Sequence, residues 1–264
     1  MANGFSGIFR ALLFLSLLAL SNLAAAQISD INSAINKAGR ERMLSQRVAK
    51  LYLQIGQGID VERSKMAMSA SVSQFDRQLV ELKNYAPTPV IRETYQKLEK
   101  SWIVYKDVLL GAAPSQSGAR KVLDLSEDVM TLANQGASQL EAHAGSNAGR
   151  LVNLSGRQRM LSQRMAKYYH AANWGVGSAQ MSSEIDRARK EFVAALQDLG
   201  AAPGNTPAIK DDLELIRQQW FFFDNALGAE SIEKKQLALN VATTSERILE
   251  TLDNVATLYE RLPR

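Results

Sequence analysis

The chain has 264 residues, 46% of them hydrophobic, with 31 Lys and Arg against 27 Asp and Glu and no cysteine. That length and apolar share argue against disorder and allow one large domain or two small ones. The slight positive balance argues against the concentrated basic face of a nucleic-acid binder, and the lack of cysteine excludes disulfides, thiolate metal sites and a lipid-modified cysteine.

Residues 1–26 read as a secretory signal peptide: Arg10 near the start, an apolar run from Ala11 to Leu20, the polar pair Ser21-Asn22, then Ala24-Ala25-Ala26 before Gln27. Cleavage is expected after Ala26, which makes the protein periplasmic and dependent on packing alone for stability. The alternative is an uncleaved membrane anchor, for which the apolar run is short against the ~20 residues of a span. Nothing later in the chain is long and apolar enough to cross a bilayer, so no membrane span is expected in the mature protein.

Beyond Gln27 the chain repeats itself. A shift of 117 residues lays Asn36–Lys50 on Asn153–Lys167 with eleven of fifteen positions identical. The same shift pairs Phe75, Leu79 and Leu82 with Phe192, Leu196 and Leu199, and one residue more brings Trp102 onto Trp220. Within each copy the apolar spacing is helical. Breaks are expected at Gly56–Asp60, Ala86–Pro89, Gly111–Gly118 and Gly145–Gly149, then at Gly175–Gly177, Gly200–Pro207 and Leu227–Ser231, where Gly, Pro and Ser collect. The expected fold is all-α: two tandem up-and-down four-helix bundle units, residues 27–145 and 146–264, forming a pseudo-dimer, with one merged eight-helix assembly as the alternative.

Whether the fourth helix runs on into the fifth decides how the repeats meet. Gly145-Ser146-Asn147 supplies a stop followed by cap residues, which predicts a turn. With a turn, the two motif helices run in the same direction and pack as a parallel pair; a continuous helix would set them in opposite directions.

On a wheel of about 100° per residue, Ala38, Arg42, Ser45 and Ala49 form a small-residue stripe, with Leu44, Val48, Leu51 and Ile55 nearly opposite. The second copy repeats this with Ser155, Arg159, Ser162 and Ala166 against Leu161, Met165, Tyr168 and Ala172. Small residues let helix backbones approach, and the obvious partner for each stripe is its own copy. Arg42 and Arg159 would then face each other in a partly buried seam, where repulsion and lost hydration are offset by a small oxyanion held by their planar forks. Asn36 and Asn153, Gln46 and Gln163, and Ser45 and Ser162 are candidate neutral donors, though Asn36 and Asn153, about 120° from the arginine on that wheel, read rather as capping or packing residues. The competing reading is a solvated helix face with ion pairs. Arg40, Arg47, Arg157 and Arg164 lie on another face and read as surface or salt-bridge arginines.

The segments Ile35–Arg47 and Val152–Arg164 carry Asn-x-x-Gly-x-x-Arg-Met twice. They resemble the N-terminal sensing domain of PilJ-type chemotaxis transducers, related to the nitrate and nitrite sensor domain of NarX-like kinases. In those kinases the arginine of the pattern, one from each of two subunits, holds nitrate at the dimer seam. By position the resemblance implies Arg42 and Arg159 as ligands, with Gly39 and Gly156 allowing close helix approach. Unlike the transducers, this chain shows no signalling helices and no methyl-accepting or kinase region, so it is expected to deliver ligand or report to a membrane sensor or chemotaxis protein.

Catalysis is not expected. His143 and His170 stand alone and read as surface or capping residues, Asp211-Asp212 and the scattered glutamates lack the spacing of a di-iron bundle, and the methionines read as core filler. The Trp220–Phe223 cluster reads as core or interface. No cofactor and no metal are expected. The leading expectation is a binder of nitrate or nitrite; the rival is an interaction module of an envelope or pilus-associated assembly whose repeated stripe takes a partner helix.

Overall fold

Helix signals set the boundaries seen in the computed structural model, which describes residues 28–229 and 234–262; the expected signal peptide lies outside them, as does the end of the last expected break. Eight helices occur among the described residues: α1 Ile31–Gly56, α2 Val61–Tyr85, α3 Pro89–Leu110, α4 Gln116–Ala144, α5 Asn147–Asn173, α6 Gln180–Ala201, α7 Pro207–Gly228 and α8 Lys234–Glu260. Side-chain oxygens of Asp30, Thr88, Ser115, Ser146 and Thr206 accept from first-turn amides and so satisfy donors that no helix can satisfy internally. Pro89 and Pro207 add pre-set first turns at matching places in the two repeats.

The expected turn between α4 and α5 is present. Gly145 adopts a left-handed conformation with φ of 57°, which favours glycine, and the Ser146 hydroxyl accepts from the Gly149 amide 3.1 Å away. The chain therefore reverses there, and α5 starts again in the direction of α1.

Each repeat is a four-helix bundle. In the first, α1 packs on α2 and α4, and α3 packs on α4 and α2; α5 to α8 repeat the arrangement. Equivalent aromatic stacks mark the duplication inside both cores: Phe75 on Trp102 at 3.8 Å between ring centroids, Phe192 on Trp220 at 4.4 Å. Trp220 and Phe223 pack inward, whereas Phe221 and Phe222 between them are 63% and 64% exposed.

The two bundles join through α1 and α5, the most extensive helix contact in the molecule. Ile35 touches the Gly149 position, Gly39 meets Gly156, and Gly56 lies against Trp174, so both helices advance together and the pair is parallel. Most residues of α1 and α5 are buried because each helix serves its own bundle and the seam at once, while the outer α7 buries only Ile209, Leu213, Ile216 and Phe223. No described helix is long and apolar enough to cross a membrane.

Candidate functional site

The seam is built around a glycine crossing. A Cβ on Gly39 would stand 3.3 Å from the Gly156 Cα and 3.3 Å from Arg159 Nη2; a Cβ on Gly156 would stand 3.3 Å from both the Gly39 Cα and Arg42 Nη2. Glycine at both positions thus allows the backbones to approach and opens room for two guanidinium groups beside the crossing. Arg42 is 1% exposed and Arg159 0%. The structure therefore brings together Gly39, Gly156, Arg42 and Arg159, four of the residues singled out from the repeat.

Each arginine reaches across to the other repeat. Arg42 Nη2 donates to the Asn153 carbonyl at 3.1 Å and to its side-chain Oδ1 at 2.9 Å; Arg159 Nη2 donates to the Asn36 carbonyl at 3.2 Å and to its Oδ1 at 2.8 Å. The asparagine amides are held in that orientation from behind, Asn153 Nδ2 donating to Glu141 and Asn36 Nδ2 to Glu260. Asn36 and Asn153 are thus neither caps nor mere packing residues. The wheel missed this because a guanidinium on a long stem covers a wider arc than its own Cα direction, and because the partner sits more than 100 residues away.

The serines play a different part from the one expected. Ser45 and Ser162 hydroxyls donate back to the carbonyls of Arg42 and Arg159, both at 2.8 Å, a common use of serine inside a helix. Gln46 and Gln163 donate to the carbonyls of Ser126 and Ser245, tying each motif helix to the last helix of its own bundle.

The two arginines differ in their third partner. Arg42 Nη1 donates to Asn134 Oδ1 on α4 at 2.7 Å; Arg159 Nη1 meets the Asp253 carboxylate on α8, which also accepts from Arg40 at 3.1 Å. Burial pushes the Arg42 pKa down to about 9, with repulsion from Arg157 and Arg159 adding to it. Burial also lowers Arg159, with Asp253 working the other way; burial acts against the Asp253 carboxylate, but Arg159 and Arg40 outweigh it and hold its pKa below the ordinary value. Both Nε atoms are buried without a hydrogen-bond partner. A buried donor left idle costs free energy, and two of them at equivalent places mark the seam as polar in excess of what the protein itself satisfies.

Two further pairs of cations cross between the bundles. Lys50, fully buried on α1, donates to Ser245 and Glu246 on α8, and Lys167 on α5 donates to Ser126 and Glu127 on α4. Arg47 joins Glu246, and Arg164 joins Glu127 and Glu184; Arg40 and Arg157 are also ion-paired, as their face implied. Burial opposes the Glu246 charge, yet Lys50 and Arg47 together bring its pKa down to about 2. The repetition of Lys50 as Lys167 and of Glu127 as Glu246 was a visible signal of this role, since a duplicated chain keeps a charge on a buried face only where a partner is kept too.

His170 corrects the reading of a surface or capping residue, while His143 is exposed. The His170 ring is fully buried, 3.1 Å from Gln54, and burial followed by the charge of Lys50 pushes its pKa down to about 3. It lies three turns beyond Arg159 on the same side of α5, and that placement was legible. Glu41, also fully buried, has neither carboxylate oxygen hydrogen-bonded, and burial together with Asp76 raises its pKa well above 4.5. Its counterpart Gln158 donates to the Phe192 carbonyl at 2.7 Å. No group of His, Asp and Glu among the described residues is arranged to hold a metal ion.

Comparison with known proteins yields one family model, described as type IV pili methyl-accepting chemotaxis transducer N-terminal (PilJ), which matches residues 23–128 and again 142–257. No curated protein and no solved structure matches the chain. The family is a sensory rather than a catalytic one, and its two matches fall on the two bundles whose first helices meet at the arginine seam. The chain belongs to the PilJ family, with two tandem copies of its domain.

Proposed function

We propose that the protein is an exported, periplasmic anion-binding component of a nitrate or nitrite sensor, with the ligand held between Arg42 and Arg159. The observation that carries this reading is the pair of buried guanidinium groups at the Gly39–Gly156 crossing, each with an idle Nε. An oxyanion accepts hydrogen bonds in the plane of a guanidinium fork and offsets the repulsion between two buried cations. Tandem copies place in one chain the two halves that a dimer of the resembling kinase sensors supplies from two. Gly39 and Gly156 provide the room, and Ser45 and Ser162 hold the backbone of the arginine turn. The liganded chain then reports to a membrane sensor or chemotaxis protein.

Calorimetric titration of the mature protein with nitrate, nitrite, chloride and sulfate tests this, run beside Arg42→Ala and Arg159→Ala with circular dichroism as the folding check. Selective heat with nitrate or nitrite, lost in both folded variants, is the expected result. No heat with any anion moves the reading to a protein-interaction module. One observation favours that second reading: Ile103 and Val104 on α3 are exposed at the places where α7 exposes Phe221 and Phe222, so each bundle presents an apolar pair on its outer helix.

A further inference from the structure

Pseudo-symmetry makes the seam a comparison with an internal control. The surroundings of Arg42 and Arg159 agree in the cross-repeat asparagine, the glutamate behind it, the glycine crossing and the unpartnered Nε. Their direct partners part at one place, and the carboxylate found there is shared with Arg40. Where α4 sets the neutral Asn134 beside Arg42, α8 sets the carboxylate of Asp253 beside Arg159. A carboxylate on a guanidinium Nη is chemically what a small oxyanion would be, so Arg159 already holds a charged acceptor and Arg42 holds only neutral ones. Asn134 and Asp253 are only partly buried, Asp253 with 39% of its side chain exposed, while the arginines they contact are buried. Asn134 adds a feature that Asp253 lacks: with its oxygen taken by Arg42, its amide Nδ2 remains a donor beside the same guanidinium.

We infer that Asp253 is a resident counter-ion closing the Arg159 end of the seam, and that Asn134 marks the single open end, where one monovalent oxyanion reaches Arg42. This rests on the reading that the seam binds an anion, and adds to it which end exchanges and how many ions the chain takes. Glu141, behind Asn153 and close enough to act on Arg42, disfavours a second negative charge there, which sets nitrate or nitrite apart from sulfate.

The test is calorimetry of the mature chain, Asn134→Asp and Asp253→Asn, each titrated with nitrate and with sulfate. The inference expects one nitrate per wild-type chain. Nitrate affinity falls roughly tenfold or more in Asn134→Asp, as a like charge beside the ligand requires. In Asp253→Asn a second nitrate binds. If the wild type binds nitrate but the two variants leave affinity, stoichiometry and the nitrate-to-sulfate ratio unchanged, the inference is overturned and the anion-binding function stands. If the wild type binds nothing while Asp253→Asn binds an anion, Asp253 is a plug, but the open end at Arg42 and the function proposed for the natural chain are both wrong. Absence of binding in all three proteins overturns both.

Discussion

Arg42 in the first bundle is answered by Asn134, and Arg159 in the second by Asp253. Nearby, Glu41 on α1 stands where α5 has Gln158, and Leu53 where α5 has His170. The helices, stacks and crossing were kept after duplication while the charges around them drifted apart. A homodimer cannot do this, because any substitution in one half appears in the other. Tandem copies in one chain free each half to carry a different electrostatic task, and the two bundles should therefore respond differently to matched substitutions.

The largest expected difference lies in the cross-bundle lysines. Glu246→Ala removes the carboxylate from Lys50 and Arg47, leaving a fully buried ammonium with only a serine, and should cost about 3 kcal/mol in denaturant unfolding. Glu127→Ala strips Lys167 in the same way, but Arg164 retains Glu184 and Tyr168, so the loss should be smaller by about 1 kcal/mol. Equal losses would show that the two ends are energetically alike.

Next comes Glu41 against Gln158. A carboxyl whose folded pKa lies above its unfolded value of 4.5 keeps its proton longer in the native state, so its contribution is full below that pH and stability falls as pH rises above it. Glu41→Gln should abolish that fall and stabilise the protein at pH 7 by about 1–2 kcal/mol, whereas Gln158→Glu should introduce the same fall in the second bundle. Thermal melts between pH 4 and pH 8 decide it; an unchanged pH profile in Glu41→Gln would remove Glu41 from the account.

The smallest effect at pH 7 belongs to His170. Its folded pKa of about 3 lies below the unfolded 6.5, so the unfolded chain binds the extra proton in that window and stability falls as pH drops from 6.5 towards 3. His170→Leu, which copies Leu53, should flatten this acid limb at a cost of about 1 kcal/mol at pH 7 from the lost Gln54 bond. The two bundles would thus fail in opposite directions of pH, the first through Glu41 and the second through His170.

Much of this was legible in the sequence. The repeat, the all-helical class, the helix breaks within the described residues and the stop at Gly145-Ser146 followed from periodicity and punctuation, because those signals are local. Gly39, Gly156, Arg42 and Arg159 followed from the motif. Asn134, Asp253, Glu141 and Glu260 did not, since they lie on the last helix of each bundle and reach the seam only after the fold has formed. Asn36 and Asn153 were seen but misassigned, and Glu41 was passed over although its change to Gln158 was visible in the alignment of the repeats. Partners fixed by tertiary contact leave no periodic trace.

The measurement that bears most directly on the seam is a pair of crystal structures of the mature chain, grown with and without nitrate. The account predicts planar, three-cornered density beside Arg42 and Asn134 in the nitrate form, with Asp253 still on Arg159. A nitrate form with no density beside Arg42, or one in which the anion has displaced Asp253 from Arg159, would contradict it.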